Sequence, residues 1–130
     1  MQNNIKYFYL IIWISLSVYA LLTPSGSLPK LNPFEHFDKV IHAGMFFTLF
    51  IILVPIYLKN QKYFRSYFFS FITTISTGIV FEILQNSMSS GRSGSITDAI
   101  ADAAGAILAI FCYHWIIKQK PMETFIFRIQ

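Results

Sequence analysis

The sequence contains little charge and a single cysteine. Charged residues make up 12% of its 130 residues and apolar residues make up 55%, whereas soluble domains carry about 25% charged residues. So short a chain has too much surface for its volume to bury that apolar content in water, and the same composition excludes intrinsic disorder. The lone Cys112 excludes an intrachain disulfide framework and a multi-cysteine metal site. The composition therefore predicts a small integral membrane protein, folded as a single transmembrane domain over residues 1–130.

Four apolar segments are long enough to cross a membrane. They cover approximately residues 7–22, 39–58, 66–86 and 97–117. At 1.5 Å per helical residue each segment matches a hydrocarbon core of about 30 Å, and none alternates apolar and polar residues as a strand does. The first segment is interpreted as a retained span and not a cleaved signal peptide, because its apolar run continues past Ala20 to Leu22. The predicted fold class is an all-α membrane protein with four transmembrane helices.

Basic residues are distributed unevenly between the two ends of the predicted bundle. Seven of the ten basic side chains lie on the side of the two termini, namely Lys6, Lys59, Lys62, Arg65, Lys118, Lys120 and Arg128. The remaining three are Lys30, Lys39 and Arg92. Because cytoplasmic loops carry the excess of Lys and Arg, both termini are predicted to be cytoplasmic. This topology explains the positive net charge, so no nucleic-acid partner is predicted.

Three ionisable side chains lie at one height inside the predicted spans. His42, Glu82 and Asp102 are each about 16 residues from the cytoplasmic end of their span, which is about 24 Å at helical rise. A charged group near the bilayer centre costs roughly 2.5–3.5 kcal/mol on insertion scales. We therefore expect these side chains to turn inward around a shared polar pocket that opens outward.

Further polar groups accompany this layer. Helical spacing places on common faces Asp38 with His42, Glu82 with Gln85, and Asp98 with Asp102. The loop 86–97 leads into the fourth span through Arg92 and Ser95, and such groups at a helix N-terminus can hold an anion such as phosphate. Ser95 and Asp98 also have the spacing of a capping box, which gives them a structural alternative. Small residues at Ala101, Gly105 and Ala109 predict close packing of the fourth span.

The order of these groups resembles the VanZ-like family of bacterial membrane proteins. The matching residues, within 38–109, are Asp38-Lys39-x-x-His42, Glu82-x-x-Gln85, Arg92, Asp98 and Gly105. The resemblance implies a four-helix VanZ-like bundle in the bacterial cytoplasmic membrane, and the founding members of the family are linked to resistance to the glycopeptide teicoplanin. The chain departs from the family pattern at Asp102, where the family usually carries Asn. This difference adds a carboxylate to the predicted pocket.

The first functional hypothesis is a site that binds or acts on an envelope lipid or glycolipid, including a lipid-phosphate ligand. The catalytic residues would be His42, Glu82 and Asp98: the imidazole transfers a proton, and the two carboxylates orient it or bind a cation. The ligand-binding residues would be Asp38, Lys39, Gln85, Arg92, Ser95 and Asp102, with the two basic side chains holding phosphate.

Two alternatives use the same residues. One nitrogen and three carboxylates, from His42, Glu82, Asp98 and Asp102, are enough ligands for a divalent cation. One histidine and no thiolate disfavour tight zinc binding, so no metal and no cofactor are predicted. The other alternative is a non-enzymatic accessory or structural subunit of a larger inner-membrane complex. Its partners would be membrane lipids and neighbouring proteins, and the polar cluster would then hold the helices together.

Overall fold

The computed structural model describes residues 3–23, 36–58, 62–87 and 95–118, and within these ranges it contains helices and no strand. The helices are α1 (Asn3–Leu22), α2 (Phe37–Leu58), α3 (Tyr63–Ser87) and α4 (Ile96–Lys118). Each predicted span is therefore confirmed as a helix that extends a few residues beyond its apolar run. Most of the added residues are polar or aromatic, such as Lys6 and Tyr63, which suit the membrane boundary.

Three of the helices have the length and composition of membrane spans in the part of the chain that the structure describes. They are α2, α3 and the segment Ile96–Trp115 of α4. The apolar part of α1, Asn4–Ala20, is shorter than these three segments. Large apolar side chains cover the outward faces, including Ile11, Phe64 and Phe111, which are between 62% and 80% exposed. Such faces are stable against acyl chains and not against water. The prediction of an all-α membrane protein is confirmed.

Hydrogen bonds from α1 show that it packs antiparallel to α2. The Lys6 ammonium donates to the Pro55 carbonyl at 2.9 Å, and the Trp13 indole N–H donates to the Met45 carbonyl at 2.9 Å. Pro55 lies in the last turn of α2, where backbone carbonyls lack partners within the helix. The lysine therefore satisfies an otherwise unpaired acceptor and ties the start of α1 to the end of α2.

The packing of α2 against α4 depends on Gly105. A Cβ atom built on Gly105 would lie 2.1 Å from the carbonyl oxygen of Ala43, so only glycine permits this approach of the two backbones. Ala106 and Ala109 are fully buried beside it, which confirms the close packing expected from the small residues of the fourth span. The two helices are parallel, and side chains near their starts are brought within reach of each other.

A second row of small residues lets α3 approach the same helices. Ser66, Ser70, Thr74 and Gly78 follow one another at intervals of four residues and are all buried. A Cβ on Gly78 would lie 3.0 Å from Asp102 Oδ2 and 3.4 Å from the ring of Phe46. Gly78 therefore makes the space on α3 that the Asp102 carboxylate occupies.

The dependence on Gly105 can be tested by replacing it with Ala. The added methyl group must push α2 and α4 apart, and overpacking of this kind costs about 1–3 kcal/mol. We expect a lower unfolding temperature for Gly105→Ala, measured in detergent micelles. Gly44→Ala is the matched control, since a Cβ at Gly44 meets nothing within 4 Å. Equal stability of the two variants would contradict the proposed role of Gly105.

Candidate functional site

His42 on α2 and Asp102 on α4 form a buried pair. Their Nδ1 and Oδ1 atoms are 2.9 Å apart, and the two residues are only 6% and 2% exposed. Each lies one turn inside its helix, and the close approach at Gly105 is what brings them together. A hydrogen bond between an imidazole and a carboxylate is strong in the low dielectric of a membrane interior.

Glu82 joins this pair from α3, whose end lies where α2 and α4 begin. One ligand atom from each of His42, Glu82 and Asp102 lies within 4.8 Å of the others, and we call these three residues the buried cluster. Both Glu82 oxygens and Asp102 Oδ2 are buried and make no hydrogen bond to the described residues. The backbone N–H of Ser95 lies near the Glu82 carboxylate but does not form a hydrogen bond with it. The predicted meeting of the three side chains at one height is therefore observed in the structure.

Aromatic side chains close the buried cluster on the side of the bundle centre. Phe46, one turn deeper than His42 on α2, is fully buried. Its ring lies 5.9 Å from that of Trp13 in an edge-to-face arrangement, and the Trp13 ring is 6.5 Å from that of Phe81. Because these aromatic side chains cover the side towards the bundle centre, the polar side of the site faces the end of the bundle where α2 and α4 begin.

A second polar layer lies one turn nearer that end of the bundle. The Lys39 ammonium is 2.8 Å from Asp98 Oδ1 and 3.5 Å from Asp38 Oδ2. Asp98 is 8% exposed as a residue, whereas the Asp38 side chain is 53% exposed. The Lys39–Asp98 pair joins α2 to α4, and Asp38 lies outside the buried cluster although it is on the same helix as His42.

Glu82 and Asp98 were expected to orient His42 or to bind a cation. In the structure Asp98 pairs with Lys39, and Asp102 is the carboxylate in contact with the imidazole. The reason is height, since Asp102 lies level with His42 and Asp98 lies a turn above it. Gln85 is buried at 3% exposure on α3. Arg92 lies outside the described residues.

The start of α4 supports a structural interpretation of Ser95. The Thr97 N–H donates to the Ser95 hydroxyl at 3.3 Å, and the two hydroxyl groups of these residues are 2.6 Å apart. Ser95 therefore acts as an N-cap. The Asp98 carboxylate is engaged by Lys39 across the helix interface.

A groove beside Lys39 opens at the surface between α2 and α4. It has a volume of about 420 Å³ and is lined by His36, Lys39, Thr97, Ile100, Ala101 and Ala104. We call it the Lys39 groove. One ammonium group next to mostly apolar walls suits an amphipathic anion, with its charge at Lys39 and its hydrocarbon along Ile100 and the alanines.

Comparison with known proteins identifies a family. A family model described as VanZ/LLP1 matches residues 6–118, a range that contains the buried cluster, the Lys39–Asp98 pair and nearly all of the four helices. No curated protein and no solved structure matches the chain. The resemblance inferred from the order of the polar residues is thus confirmed.

The Lys39–Asp98 pair predicts a measurable coupling between α2 and α4. Lys39→Met leaves the buried Asp98 carboxylate without its cation, and the expected loss is about 1–3 kcal/mol, between the values for exposed and fully buried pairs. Adding Asp98→Asn should recover part of this loss, as measured by unfolding of the single and double variants in detergent. Simple addition of the two single losses would show that the pair makes no coupled contribution.

Proposed function

The chain belongs to the VanZ/LLP1 family, and from this premise we propose that it binds and acts on an envelope lipid or glycolipid through a phosphate-bearing headgroup, in a role related to glycopeptide resistance. Its apolar helices support a VanZ-like membrane protein. The observation that carries the proposal is the buried His42–Asp102 pair, because ionisable groups inside a membrane are expensive and mark functional sites by default.

His42 carries the proton-transfer step of the proposed reaction. With Nδ1–H donating to Asp102, the other ring nitrogen exchanges the proton, and the carboxylate fixes the orientation and tautomer of the ring. Glu82 lies in the same cluster and supplies a second acid–base group. The arrangement is suited to proton transfer to or from a headgroup that enters from the end of the bundle where α2 and α4 begin.

The Lys39 groove receives the lipid. Its apolar wall runs along α4 through Ile100 and Ala104 and fits a hydrocarbon chain. The Lys39 side chain is 30% exposed, so its ammonium can contact a phosphate from outside while it remains near Asp98. A phosphate bound at Lys39 would lie about one helical turn above the buried cluster.

This function requires the site to face the outer leaflet of the bacterial inner membrane, with both termini in the cytoplasm. The uneven distribution of Lys and Arg supports this orientation. We expect a green fluorescent protein fused after Gln130 to be fluorescent in cells and an alkaline phosphatase fused at the same place to be inactive. An active phosphatase fusion would show that the C-terminus lies outside the cytoplasm. The site would then face the inner leaflet, which contradicts the proposed access from the outer leaflet.

Binding of a lipid phosphate tests the proposal directly. The purified protein in detergent is titrated with a polyprenyl phosphate and, in parallel, with the corresponding polyprenol, which lacks the phosphate. We expect saturable binding of the phosphate alone, weakened at least about tenfold by Lys39→Gln, because one charge-assisted contact contributes about 1.5–3 kcal/mol. Lys62→Gln, which removes an exposed lysine at the other end of the bundle, should bind like the unmodified chain.

Equal affinity for the phosphate and the alcohol would contradict recognition of the headgroup.

In cells, His42→Gln and Glu82→Gln should change glycopeptide sensitivity while the amount of protein stays the same. If neither variant does so, and the protein purifies from mild detergent with stoichiometric partner chains, the buried cluster is structural and the chain is an accessory subunit.

A further inference from the structure

The carboxylates of the buried cluster have more acceptor capacity than the described protein satisfies. Glu82 Oε1, Glu82 Oε2 and Asp102 Oδ2 are buried without a hydrogen-bond partner there. Asp102 is 2% exposed, and its other oxygen is occupied by His42. Unpaired carboxylate oxygens in a low-dielectric interior are strongly unfavourable. The site is therefore built to receive a positively charged or proton-donating group.

Among the described residues, no nearby side chain provides that positive charge. Lys39 is the lysine next to the buried cluster among the described residues, and its ammonium is already 2.8 Å from Asp98 and 3.5 Å from Asp38. Lys6 is committed to the Pro55 carbonyl at the other end of the bundle. A single imidazole can offset at most one of the two carboxylates, so the buried cluster keeps a net negative charge when both are ionised.

The ligand types and spacing indicate a hard divalent cation. The free ligand atoms are oxygens, which Mg²⁺ and Mn²⁺ prefer. Ligands about 2.1 Å from one cation lie about 3.0–4.2 Å apart, for adjacent and opposite positions respectively. The ligand atoms of the buried cluster lie within 4.8 Å of one another, so small side-chain rotations close the site.

We propose that Glu82 and Asp102 bind one divalent cation of the Mg²⁺/Mn²⁺ class, and that His42 orients the Asp102 carboxylate for this purpose. A hydrogen bond from a neighbouring group to a ligating carboxylate is the usual way in which such a ligand is positioned. Two carboxylates leave several coordination positions open, which Mg²⁺ commonly fills with water and phosphate oxygens. The bridging of the cation to a lipid phosphate rests on the proposed function, whereas binding of the cation itself does not.

Manganese binding by the purified chain tests the proposal without any lipid. The protein is extracted in detergent, treated with a chelator, desalted and titrated with Mn²⁺, while electron paramagnetic resonance measures the free ion. We expect one Mn²⁺ per chain, displaced by excess Mg²⁺. Asp102→Asn preserves the shape and the contact with His42 and removes only the charge, so it should keep the fold and weaken Mn²⁺ binding by about tenfold or more.

The control and the second ligand variant separate a built site from adventitious binding. Glu82→Gln should weaken Mn²⁺ binding to a similar extent, and Glu123→Gln, the same substitution elsewhere in the sequence, should leave it unchanged. Size-exclusion elution and helical circular dichroism confirm that each variant is folded. Absence of stoichiometric Mn²⁺ from the folded parent chain would overturn the proposal and indicate that protons neutralise the carboxyls. Unchanged Mn²⁺ binding in both ligand variants would also overturn it, because the ion would then bind elsewhere on the chain.

The lipid titration tests the proposed function and the Mn²⁺ titration tests the cation site, so either proposal can be rejected without the other. Mn²⁺ binding without polyprenyl phosphate binding would retain the cation site and reject the proposed function. Binding of polyprenyl phosphate without Mn²⁺ binding would retain the proposed function and reject the cation site. If both bind, polyprenyl phosphate should bind more tightly with Mn²⁺ than after chelation in the parent chain, and this gain should disappear in Asp102→Asn.

Discussion

The contact between His42 and Asp102 is the interaction on which the polar end of the bundle depends. It joins two parallel helices inside the region of the protein that lipid surrounds, where neither group can be left to solvent. The contact requires the backbones to be close, and Gly105 against Ala43 supplies that closeness. Gly78 does the same on α3, where it leaves room for the Asp102 carboxylate. The positions of the polar side chains therefore depend on Gly105 and Gly78, which have no side chain and let the three helices approach closely.

The polar groups are arranged in two layers with different electrostatic character. In the layer nearer the end of the bundle, Lys39 balances Asp98, and the exposed Asp38 lies close to water. In the deeper layer, the two carboxylates Glu82 and Asp102 lie beside one imidazole, and three of their oxygens make no hydrogen bond to the described residues. A balanced pair holds helices together at modest cost, whereas an unbalanced buried group of charges needs a ligand or a proton. The deeper layer is for this reason the better candidate for chemistry, whereas the upper layer joins α2 to α4 and presents Lys39 at the groove.

Much of this arrangement could be predicted from the sequence, because the membrane leaves few options for a polar side chain. Counting residues along each span placed His42, Glu82 and Asp102 at one height, and helix geometry left only the interior for them. The partners could not be predicted in the same way. Asp98 and Asp102 lie on the same face of α4, and the choice between them for His42 depends on a shift of one turn, which is comparable with the uncertainty of a helix boundary. The Lys39–Asp98 pair depends on the same axial register of α2 and α4, which composition and spacing do not specify.

Asp102 also shows how a small change of side chain can give a packed contact the capacity to bind a ligand. An asparagine at this position, the residue that the family resemblance leads one to expect, could make a similar contact with His42 through its amide oxygen. It would leave a neutral NH₂ group where Oδ2 now lies, against Gly78. Aspartate keeps the geometry but adds a charge and a free acceptor beside Glu82. Because a second buried carboxylate makes no contribution to helix packing that an amide could not make, and is costlier to bury, its presence is best explained by a positively charged species that the buried cluster receives.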